Sequence, residues 1–358
     1  MANVLTVVGA RPQFIKAAPV SRVLRQRHEE VLVHTGQHYD ENLSSVFFEE
    51  LHIPEPDHNL GVGSETHAVQ TAEMMLRLDA VFDEENPDLV VVYGDTNSTL
   101  AAALVAVKRG VPIAHVEAGL RSHNWEMPEE VNRVLTDHCA TLLFAPSAHA
   151  VSALAAEGVT EGVFETGDVQ YDALVSVRET AHERSTVLTD LGLEDGGYVL
   201  ATVHRASNTD DVDRLTAIVE GLATSRLPVV LPLHPRTEAA LQSFGLWDTL
   251  VESETIHAID PVGYLDFVRL LDGAERVVTD SGGVQKEAFY VDTRCLTLRS
   301  ETEWVETVEA GWNVLVPADV DAIARALAND EPLPEKPSLY GDGTAAERIC
   351  AVLDDTLA

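Results

Sequence analysis

The stretch that decides the fold is residues 89–133, LVVVYGDTNSTLAAALVAVKRGVPIAHVEAGLRSHNWEMPEEVNR. Its two short apolar runs, residues 89–93 and 112–116, are rich in β-branched side chains, which is typical of parallel strands covered on both faces. Residues 99–108 between them have the spacing of a helix, so the three segments form a β-α-β unit. We therefore predict an α/β fold built on parallel sheets.

Carboxylates follow both predicted strands. Asp95 comes shortly after the first strand and Glu117 directly after the second, while Glu129 opens the next helical pattern. Since ligands of open parallel sheets bind beyond the carboxyl ends of the strands, Asp95 and Glu117 are expected to face one cleft. The alternative is a solvated surface carboxylate, because the chain has 59 acidic residues, and for Glu129 a first-turn acid favoured by the helix dipole. The pattern favours acid/base chemistry.

Length and charge limit the class of protein. The chain has 358 residues, which is too long for one ordinary core, so two domains are expected. Its 24 basic and 59 acidic residues give a formal net charge of −35, which excludes a general binding surface for nucleic acids or anionic membranes. The acids are dispersed through the chain, as in a protein adapted to high salt. No apolar run approaches ~20 residues, so we expect no membrane span.

The cysteines and the first residues indicate a cytoplasmic location. Cys139, Cys295 and Cys350 are odd in number and far apart, which favours neither a disulfide framework nor a zinc ribbon. The chain enters its first predicted strand, residues 3–8, without the pattern of a signal peptide. We therefore expect a protein of the reducing cytoplasm.

A candidate anion site follows the first strand. Gly9 permits a tight turn and Pro12 suits the first helical position, so Arg11 and Lys16 are expected near a helix N-terminus that attracts anions. The turn has neither the GxGxxG pattern of dinucleotide sites nor a P-loop. The alternative is an ordinary strand–helix turn with surface cations.

The second half of the chain repeats the alternation of strands and helices, and polar residues follow its predicted strands. These residues are His204, Arg205, His234 and Arg299. A single histidine at a strand end is usually structural, but two histidines with neighbouring arginines at one sheet edge favour a ligand site.

A phosphate loop is predicted at Ser281-Gly282-Gly283, between a strand and a helix. The glycines allow close approach of the backbone, and the amides of a helix N-terminus favour an anion. Glu287 lies six residues after Ser281, where a carboxylate can bind both hydroxyls of a ribose. The alternative is a tight strand–helix connection followed by a surface glutamate.

These predictions together indicate a nucleotide sugar. We expect a nucleoside diphosphate on the second domain, with its substituent facing Asp95 and Glu117 across an interdomain cleft. The first domain is expected to end near Asp168. No metal and no other cofactor is implied, because the chain has no histidine cluster with ligand spacing.

Eight sequence blocks carry a resemblance to a known family. They are GARPQFIKAAP (9–19), YGDTNSTLA (93–101), HVEAGLRS (115–122), MPEEVNR (127–133), TGD (166–168), VHR (203–205), DSGGVQKEA (280–288) and YGDG (340–343). In this order and spacing, the chain resembles the non-hydrolysing UDP-N-acetylglucosamine 2-epimerases over essentially its whole length.

The resemblance implies a complete architecture. The fold is α/β, with two Rossmann-like doubly wound domains of the glycosyltransferase-B type and an interdomain active-site cleft. Residues 1–169 form the first domain, joined by a C-terminal helix of residues 344–358, and residues 170–343 form the UDP-binding second domain. The resemblance also implies a homodimer.

The resemblance further implies reversible inversion at C2 of the sugar through elimination and re-addition of UDP. Asp95, Glu117 and Glu129 correspond to the acid/base carboxylates, with the C2 base left open among them, and His204 to the histidine that stabilises the departing UDP. The implied substrate-binding residues are Arg11, Lys16, Arg133, Arg205, His234, Ser281, Gly282, Gly283, Glu287 and Arg299.

Two departures from the family pattern leave the substrate open. Residues 37–40 are Gln-His-Tyr-Asp where many bacterial members have an Arg-Glu pair after Gln-His, so we expect no absolute requirement for a second, activating substrate molecule. Residues 303–306 are Glu-Trp-Val-Glu in place of Glu-Arg-Pro-Glu. Both changes resemble several archaeal members and the branch that acts on UDP-2,3-diacetamido-2,3-dideoxyglucuronate. The sequence also leaves open a glycosyltransferase, a hydrolysing epimerase and a nucleotide-sugar sensor without turnover.

Overall fold

The computed structural model describes residues 1–36 and 55–358, except for the side chain of Arg11. Residues 37–40, which carry the prediction about activation, and the Arg11 side chain therefore lie outside the described part of the chain. The chain forms two compact units. Unit 1 comprises Met1–Ser176 and Ser338–Ala358, and unit 2 comprises Val177–Pro337. The predicted domain boundaries stay a prediction.

Unit 1 contains a parallel sheet of seven strands. They are β1 (Asn3–Val8), β2 (Glu29–His34), β3 (His58–Asn59), β4 (Leu89–Tyr93), β5 (Ile113–Val116), β6 (Leu142–Ala145) and β7 (Val163–Glu165). Their order across the sheet is β3-β2-β1-β4-β5-β6-β7, and all neighbours are parallel. The strands β4, β5 and β6 are buried along their whole length, as their apolar sequences predict.

Helices lie between the strands in the described ranges of unit 1. They are α1 (Arg11–Leu24), α2 (His67–Glu85), α3 (Asn97–Arg109), α4 (Pro128–Cys139), α5 (Ala148–Ala156) and α6 (Val169–Arg184), which continues into unit 2. The predicted central helix is α3. Thr96 caps its first turn by accepting a hydrogen bond from the backbone of Thr99, and Gly110 ends it with a left-handed φ of 70°.

Unit 2 contains a parallel sheet of six strands. They are β8 (Val199–Thr202), β9 (Val229–Pro232), β10 (Ile256–Ile259), β11 (Arg276–Thr279), β12 (Arg294–Thr297) and β13 (Asn313–Leu315). Their order is β10-β9-β8-β11-β12-β13, so the second sheet repeats the topology of the first. A core of valine, leucine and isoleucine side chains covers this sheet.

The remaining helices are α7 (Val187–Leu191), α8 (Ala206–Thr209), α9 (Val212–Ala223), α10 (Pro235–Ser243), α11 (Trp247–Val251), α12 (Tyr264–Asp272), α13 (Gly282–Tyr290), α14 (Val305–Glu309), α15 (Val320–Leu327) and α16 (Ala345–Leu357). The last of them, α16, belongs to unit 1 and packs against α1. None of the helices in the described ranges has both the length and the apolar content that crossing a bilayer requires.

In both sheets the strand order reverses at one point. The reversal lies between β1 and β4 in unit 1 and between β8 and β11 in unit 2. Crevices at such switch points bind ligands in doubly wound sheets. Each unit therefore has a candidate ligand crevice at its own switch point.

Candidate active site

At the switch point of unit 1, Gln13 ties the turn after β1 to the end of β4. Its side-chain oxygen accepts hydrogen bonds from the backbone of Gly9 (2.8 Å) and Ala10 (3.1 Å). Its amide nitrogen donates to the Tyr93 carbonyl at 2.8 Å and to the Thr99 hydroxyl at 2.9 Å. Gln13 is buried and therefore fixes the spacing of the two strand ends on which the candidate residues lie.

Lys16 and Glu117, both predicted site residues, form an ion pair at this edge of the sheet. Glu117 has a left-handed backbone with φ of 71°, which is uncommon for a residue with a side chain. Gly94 lies beside the pair, and a methyl group there would come 3.2 Å from Glu117 Oε2 and 3.5 Å from Lys16 Nζ. Lys16 and Glu117 are 9% and 7% exposed, so the pair is screened from water on most sides.

Asp95 pairs with Arg133, to which the family resemblance assigns a role in substrate binding. The Arg133 guanidinium also lies 3.2 Å from the carboxylate of Glu130. Asn132 donates to the backbone carbonyl of Asp95 at 2.9 Å. The helix α4 therefore holds the loop after β4 through two of its side chains, and the Asp95 carboxylate is left half-buried.

Glu129 lies in the first turn of α4, as predicted, and is exposed. Among the described side chains, none forms an ion pair with it. The adjacent Glu130 is buried and accepts hydrogen bonds from the backbone of Ser122 (2.9 Å) and His123 (2.8 Å). Glu130 is thus a structural acid, and Glu129 is the one free to reach a ligand.

A buried network of charged side chains contacts the ends of β4 and β5. His115 contacts the Asp137 carboxylate through Nδ1 at 2.7 Å and the Gly94 carbonyl through Nε2 at 2.8 Å. Asp137 also accepts from Arg121 at 2.6 Å and from the backbone of Gly119 at 3.1 Å. Burial alone would raise the pKa of Asp137, but His115 and Arg121 outweigh it and hold that pKa below its usual range. The His115 ring therefore links the end of β4 to α4 through its two nitrogens.

At the switch point of unit 2, Asp280 organises the turn after β8. Its carboxylate accepts hydrogen bonds from the backbone of His204 (3.0 and 3.1 Å) and Arg205 (3.0 Å), and from the side chain of Asn208 at 3.0 Å. Asp280 is fully buried. The carboxylate therefore bridges β8 and β11 and fixes the two predicted ligand residues of this turn.

The rings of His204 and His234 lie together, with centroids 5.5 Å apart. His234 begins α10 and accepts a hydrogen bond from the backbone of Arg236 at 3.2 Å. Burial lowers the pKa of His204, and the nearby Asp280 only partly opposes this effect. His204 is therefore a neutral ring at pH 7.

The predicted phosphate loop has the geometry of a helix start. Ser281 precedes the first residue of α13, and Gly282 and Gly283 form its first turn. The Glu303 carboxylate faces this turn, because a methyl group on Gly282 would come 2.5 Å from Glu303 Oε1. Backbone amides of a first helical turn carry partial positive charge, and this turn faces an anionic group of the protein itself.

Two predicted cations share that same carboxylate. Arg299 Nη1 lies 2.9 Å from Glu303 Oε2, and Arg205 Nη2 lies 3.8 Å from Oε1. Arg299 is buried and Arg205 is half-buried. The structure thus brings together the loop and both arginines, with Glu303 between them.

Glu287, the predicted ribose ligand, lies in the second turn of α13 and is 3% exposed. Its carboxylate accepts a hydrogen bond from the Tyr264 hydroxyl at 3.1 Å. Within residues 1–36 and 55–358, no three His, Cys, Asp or Glu side chains are grouped as a metal site requires.

Sequence reasoning missed three residues that position the others, namely Gln13, Asp137 and Asp280. Asp280 had a usable signal, since it follows a predicted strand directly, the same rule that selected Glu117. Gln13 and Asp137 lie inside helices and had no such signal. Their hydrogen-bond partners lie at the ends of neighbouring strands. The order of those strands cannot be derived from a single sequence.

Comparison with known proteins identifies the family. The sequence model of the family described as UDP-N-acetylglucosamine 2-epimerase matches residues 22–354. This chain belongs to that family. The prediction of an α/β fold with two Rossmann-like domains of the glycosyltransferase-B type is confirmed, while the interdomain position of the site stays a prediction.

Relatives of this epimerase are similar over almost the full length. The chain is 45% identical over 353 residues to a UDP-N-acetylglucosamine 2-epimerase homolog of Methanococcus maripaludis, covering 98% of this chain and 99% of that protein. It is 46% identical over 361 residues to the UDP-2,3-diacetamido-2,3-dideoxy-D-glucuronate 2-epimerase of Pseudomonas aeruginosa, with the same coverage of 98% and 99%. It is also similar to the crystal structure of Methanocaldococcus jannaschii UDP-GlcNAc 2-epimerase in complex with UDP-GlcNAc and UDP, with a TM-score of 0.90, 41% identity and 99% of each chain covered.

Proposed function

We propose that this protein is a non-hydrolysing UDP-N-acetylglucosamine 2-epimerase, which interconverts UDP-N-acetylglucosamine and UDP-N-acetylmannosamine. The observation that carries the proposal is the division of chemistry between the two switch points. Carboxylates with cationic partners lie at the first, and a helix start with two arginines and a histidine lies at the second. The first set suits proton transfer and the second suits a diphosphate.

The proposed reaction eliminates UDP and adds it back. A carboxylate among Asp95, Glu117 and Glu129 removes the proton from C2, the C1–O bond breaks, and a C1=C2 double bond forms as UDP leaves. A proton then returns to C2 from the opposite face while the UDP oxygen bonds to C1 again. The sum of the two steps is inversion at C2, with no net change in protons or electrons.

In this proposal the second unit binds the leaving group. Arg205, Arg299 and the turn at Ser281 carry the charges that a departing diphosphate needs. His204 and His234 lie at the same sheet edge, where a protonated imidazole stabilises a phosphate oxygen. Glu287 is the proposed acceptor for the ribose hydroxyls.

The mechanism is tested by running the reaction in D2O with UDP-N-acetylglucosamine. Each turnover breaks the C2–H bond, so the recovered UDP-sugars should carry deuterium at C2, which mass spectrometry and proton NMR detect. A glycosyltransferase leaves C2–H untouched. Epimer that retains protium at C2 would contradict elimination and indicate transient oxidation instead.

A second candidate substrate is UDP-2,3-diacetamido-2,3-dideoxyglucuronate. The observations that favour it are the 46% identity to the Pseudomonas aeruginosa enzyme named for that sugar and Trp304, which stands where the common family pattern has arginine. The reaction at C2 is the same for both sugars. Parallel assays of kcat/KM with each UDP-sugar decide between them.

We further propose a cytoplasmic homodimer adapted to high salt. The family resemblance supports the dimer, and the dispersed charge of −35 supports the adaptation. Light scattering in molar KCl should give twice the chain mass of 38.8 kDa. A mass of one chain would contradict the dimer.

A further inference from the structure

Glu303 lies beside the predicted phosphate loop of unit 2. It lies in the loop between β12 and α14, and it is 5% exposed. One carboxylate oxygen faces the first turn of α13 so closely that a methyl group on Gly282 would be 2.5 Å away. This carboxylate is thus placed where the amides of a helix start attract an anion.

The same carboxylate neutralises both arginines of the site. Arg299 lies 2.9 Å from one of its oxygens and Arg205 lies 3.8 Å from the other. Burial lowers the pKa of the Arg299 guanidinium, the positive charge of Arg205 lowers it further, and Glu303 opposes both effects. Two cations held this close need an anion, and in the unliganded protein Glu303 is that anion.

We propose that Glu303 is the internal counter-ion of the phosphate loop and that the diphosphate of the UDP-sugar displaces it. This inference rests on the proposed function, because it assigns the loop to a diphosphate. A carboxylate and a phosphate placed at the same helix start and beside the same arginines repel each other, so the two cannot occupy this position together. The flexible side chain of a glutamate can turn away without movement of the sheet.

The displacement has a consequence for specificity. A ligand must carry enough negative charge to replace Glu303 at Arg205 and Arg299, so uridine alone gains nothing from this part of the site. Between substrates, Glu303 keeps the two arginines paired. UDP binding is weaker than the loop and the arginines alone would permit, which favours release after re-addition.

The test measures the dissociation constants of UDP and uridine by calorimetry for the wild type and for Glu303→Gln. The amide keeps the size and removes the competing charge, so UDP should bind roughly tenfold tighter, in keeping with the worth of a charged hydrogen bond. Uridine affinity should not change. Glu309→Gln makes the same change of charge at an exposed position of α14 and should leave UDP affinity as in the wild type.

Weaker UDP binding by Glu303→Gln would overturn the inference, because Glu303 would then orient the arginines rather than compete with the ligand. Equal binding would overturn it as well. Wild-type protein that does not bind UDP at all would instead contradict the proposed function. The two failures are therefore distinguishable.

A structure of the wild type with UDP provides a second test that needs no variant. Glu303 should be separated from Arg299 and Gly282, with phosphate oxygens in its former position. A complex in which Glu303 keeps both contacts would overturn the inference even if Glu303→Gln does not fold.

Discussion

Glu117 combines an uncommon backbone with a buried ion pair. Its φ of 71° costs about 1 kcal/mol for a residue with a side chain, and such strain persists only where the surroundings enforce it. Here the amides of Glu117 and Ala118 both bond the Phe144 carbonyl at 3.1 Å, which turns the chain at the end of β5. The turn directs the carboxylate along the sheet edge towards Lys16.

Replacement of Glu117 by Gln should lower turnover strongly while UDP binding is kept. The amide cannot transfer the C2 proton, and groups in such roles contribute typically about 10²–10⁴-fold to the rate. We expect a fall in kcat of that size, with the UDP dissociation constant changed less than about threefold. Steady-state kinetics and calorimetry measure the two quantities.

A matched control is Glu126→Gln, an exposed acid of the neighbouring loop, which should behave as the wild type. If Glu117→Gln loses UDP affinity as much as turnover, its role is in binding and the proposed assignment is wrong.

We expect the ionisation of His204 to change when UDP binds. Burial lowers its pKa, against the opposing charge of Asp280 and with further lowering by Arg205 and Arg236, so the free protein holds a neutral ring at pH 7. A bound diphosphate favours the charged ring and raises the pKa. UDP binding should therefore take up a fraction of one proton, and UDP affinity should rise as pH falls from 8 to 7.

Calorimetry in two buffers of different ionisation enthalpy counts this proton. The variant His204→Asn keeps a hydrogen-bonding side chain but cannot titrate, so its proton uptake should be close to zero. Uptake that is unchanged in His204→Asn would assign the proton to another group.

Asp172 anchors the C-terminal helix α16. Its carboxylate accepts a hydrogen bond from the backbone of Ala346 at 2.7 Å, in the first turn of α16. Farther along, Cys350 approaches the Val20 carbonyl and Asp354 pairs with His28 at 2.8 Å. These contacts hold α16 on unit 1.

The ionisation of Asp172 should make the stability of the folded protein depend on pH. Burial raises its pKa to about 6, although the amides of Ala346 and Ala345 oppose the effect. The folded carboxyl then binds its proton more strongly than the unfolded one, so stability falls as pH rises from about 4 to about 6. Relative to the wild type, Asp172→Asn should gain up to about 3 kcal/mol between pH 4 and pH 8.

Urea unfolding of both proteins in molar KCl measures this difference. The control Asp355→Asn changes an exposed acid of the same helix and should show no such gain. A constant difference between Asp172→Asn and the wild type at all pH values would contradict the prediction.

Strands with a long run of apolar residues could be predicted from the sequence. Short strands and strands with polar residues could not. The strands β4 and β5 follow from apolar runs, but β3 is two polar residues, His58–Asn59, that extend the sheet only because β2 is beside them. The strand β10, with the sequence IHAI, was also missed. Lys16 and Glu117 were predicted as separate site residues. Their ion pair could not be predicted, because it depends on the order of the strands in the sheet. The same holds for Glu303, whose partners come from β8 and β12.

At the scale of the whole molecule, the charge of −35 should make stability depend on salt. Like charges on one surface repel, and the screening length falls from about 30 Å at 0.01 M salt to about 3 Å at 1 M. The unfolding temperature should rise by roughly 5 °C or more from dilute buffer to molar KCl. Calorimetric scans across this range measure it, and a temperature independent of KCl would contradict the adaptation to high salt.

The position of α16 in the chain has a consequence for synthesis on the ribosome. Domains usually fold in the order in which they are made. Unit 1 begins at Met1, but it also includes the helix Ala345–Leu357, which is translated after all of unit 2. The side of α1 that packs against α16 therefore stays uncovered while Val177–Pro337 is synthesised. Unit 1 is therefore completed by the synthesis of Ala345–Leu357, and not by completion of the first half of the chain.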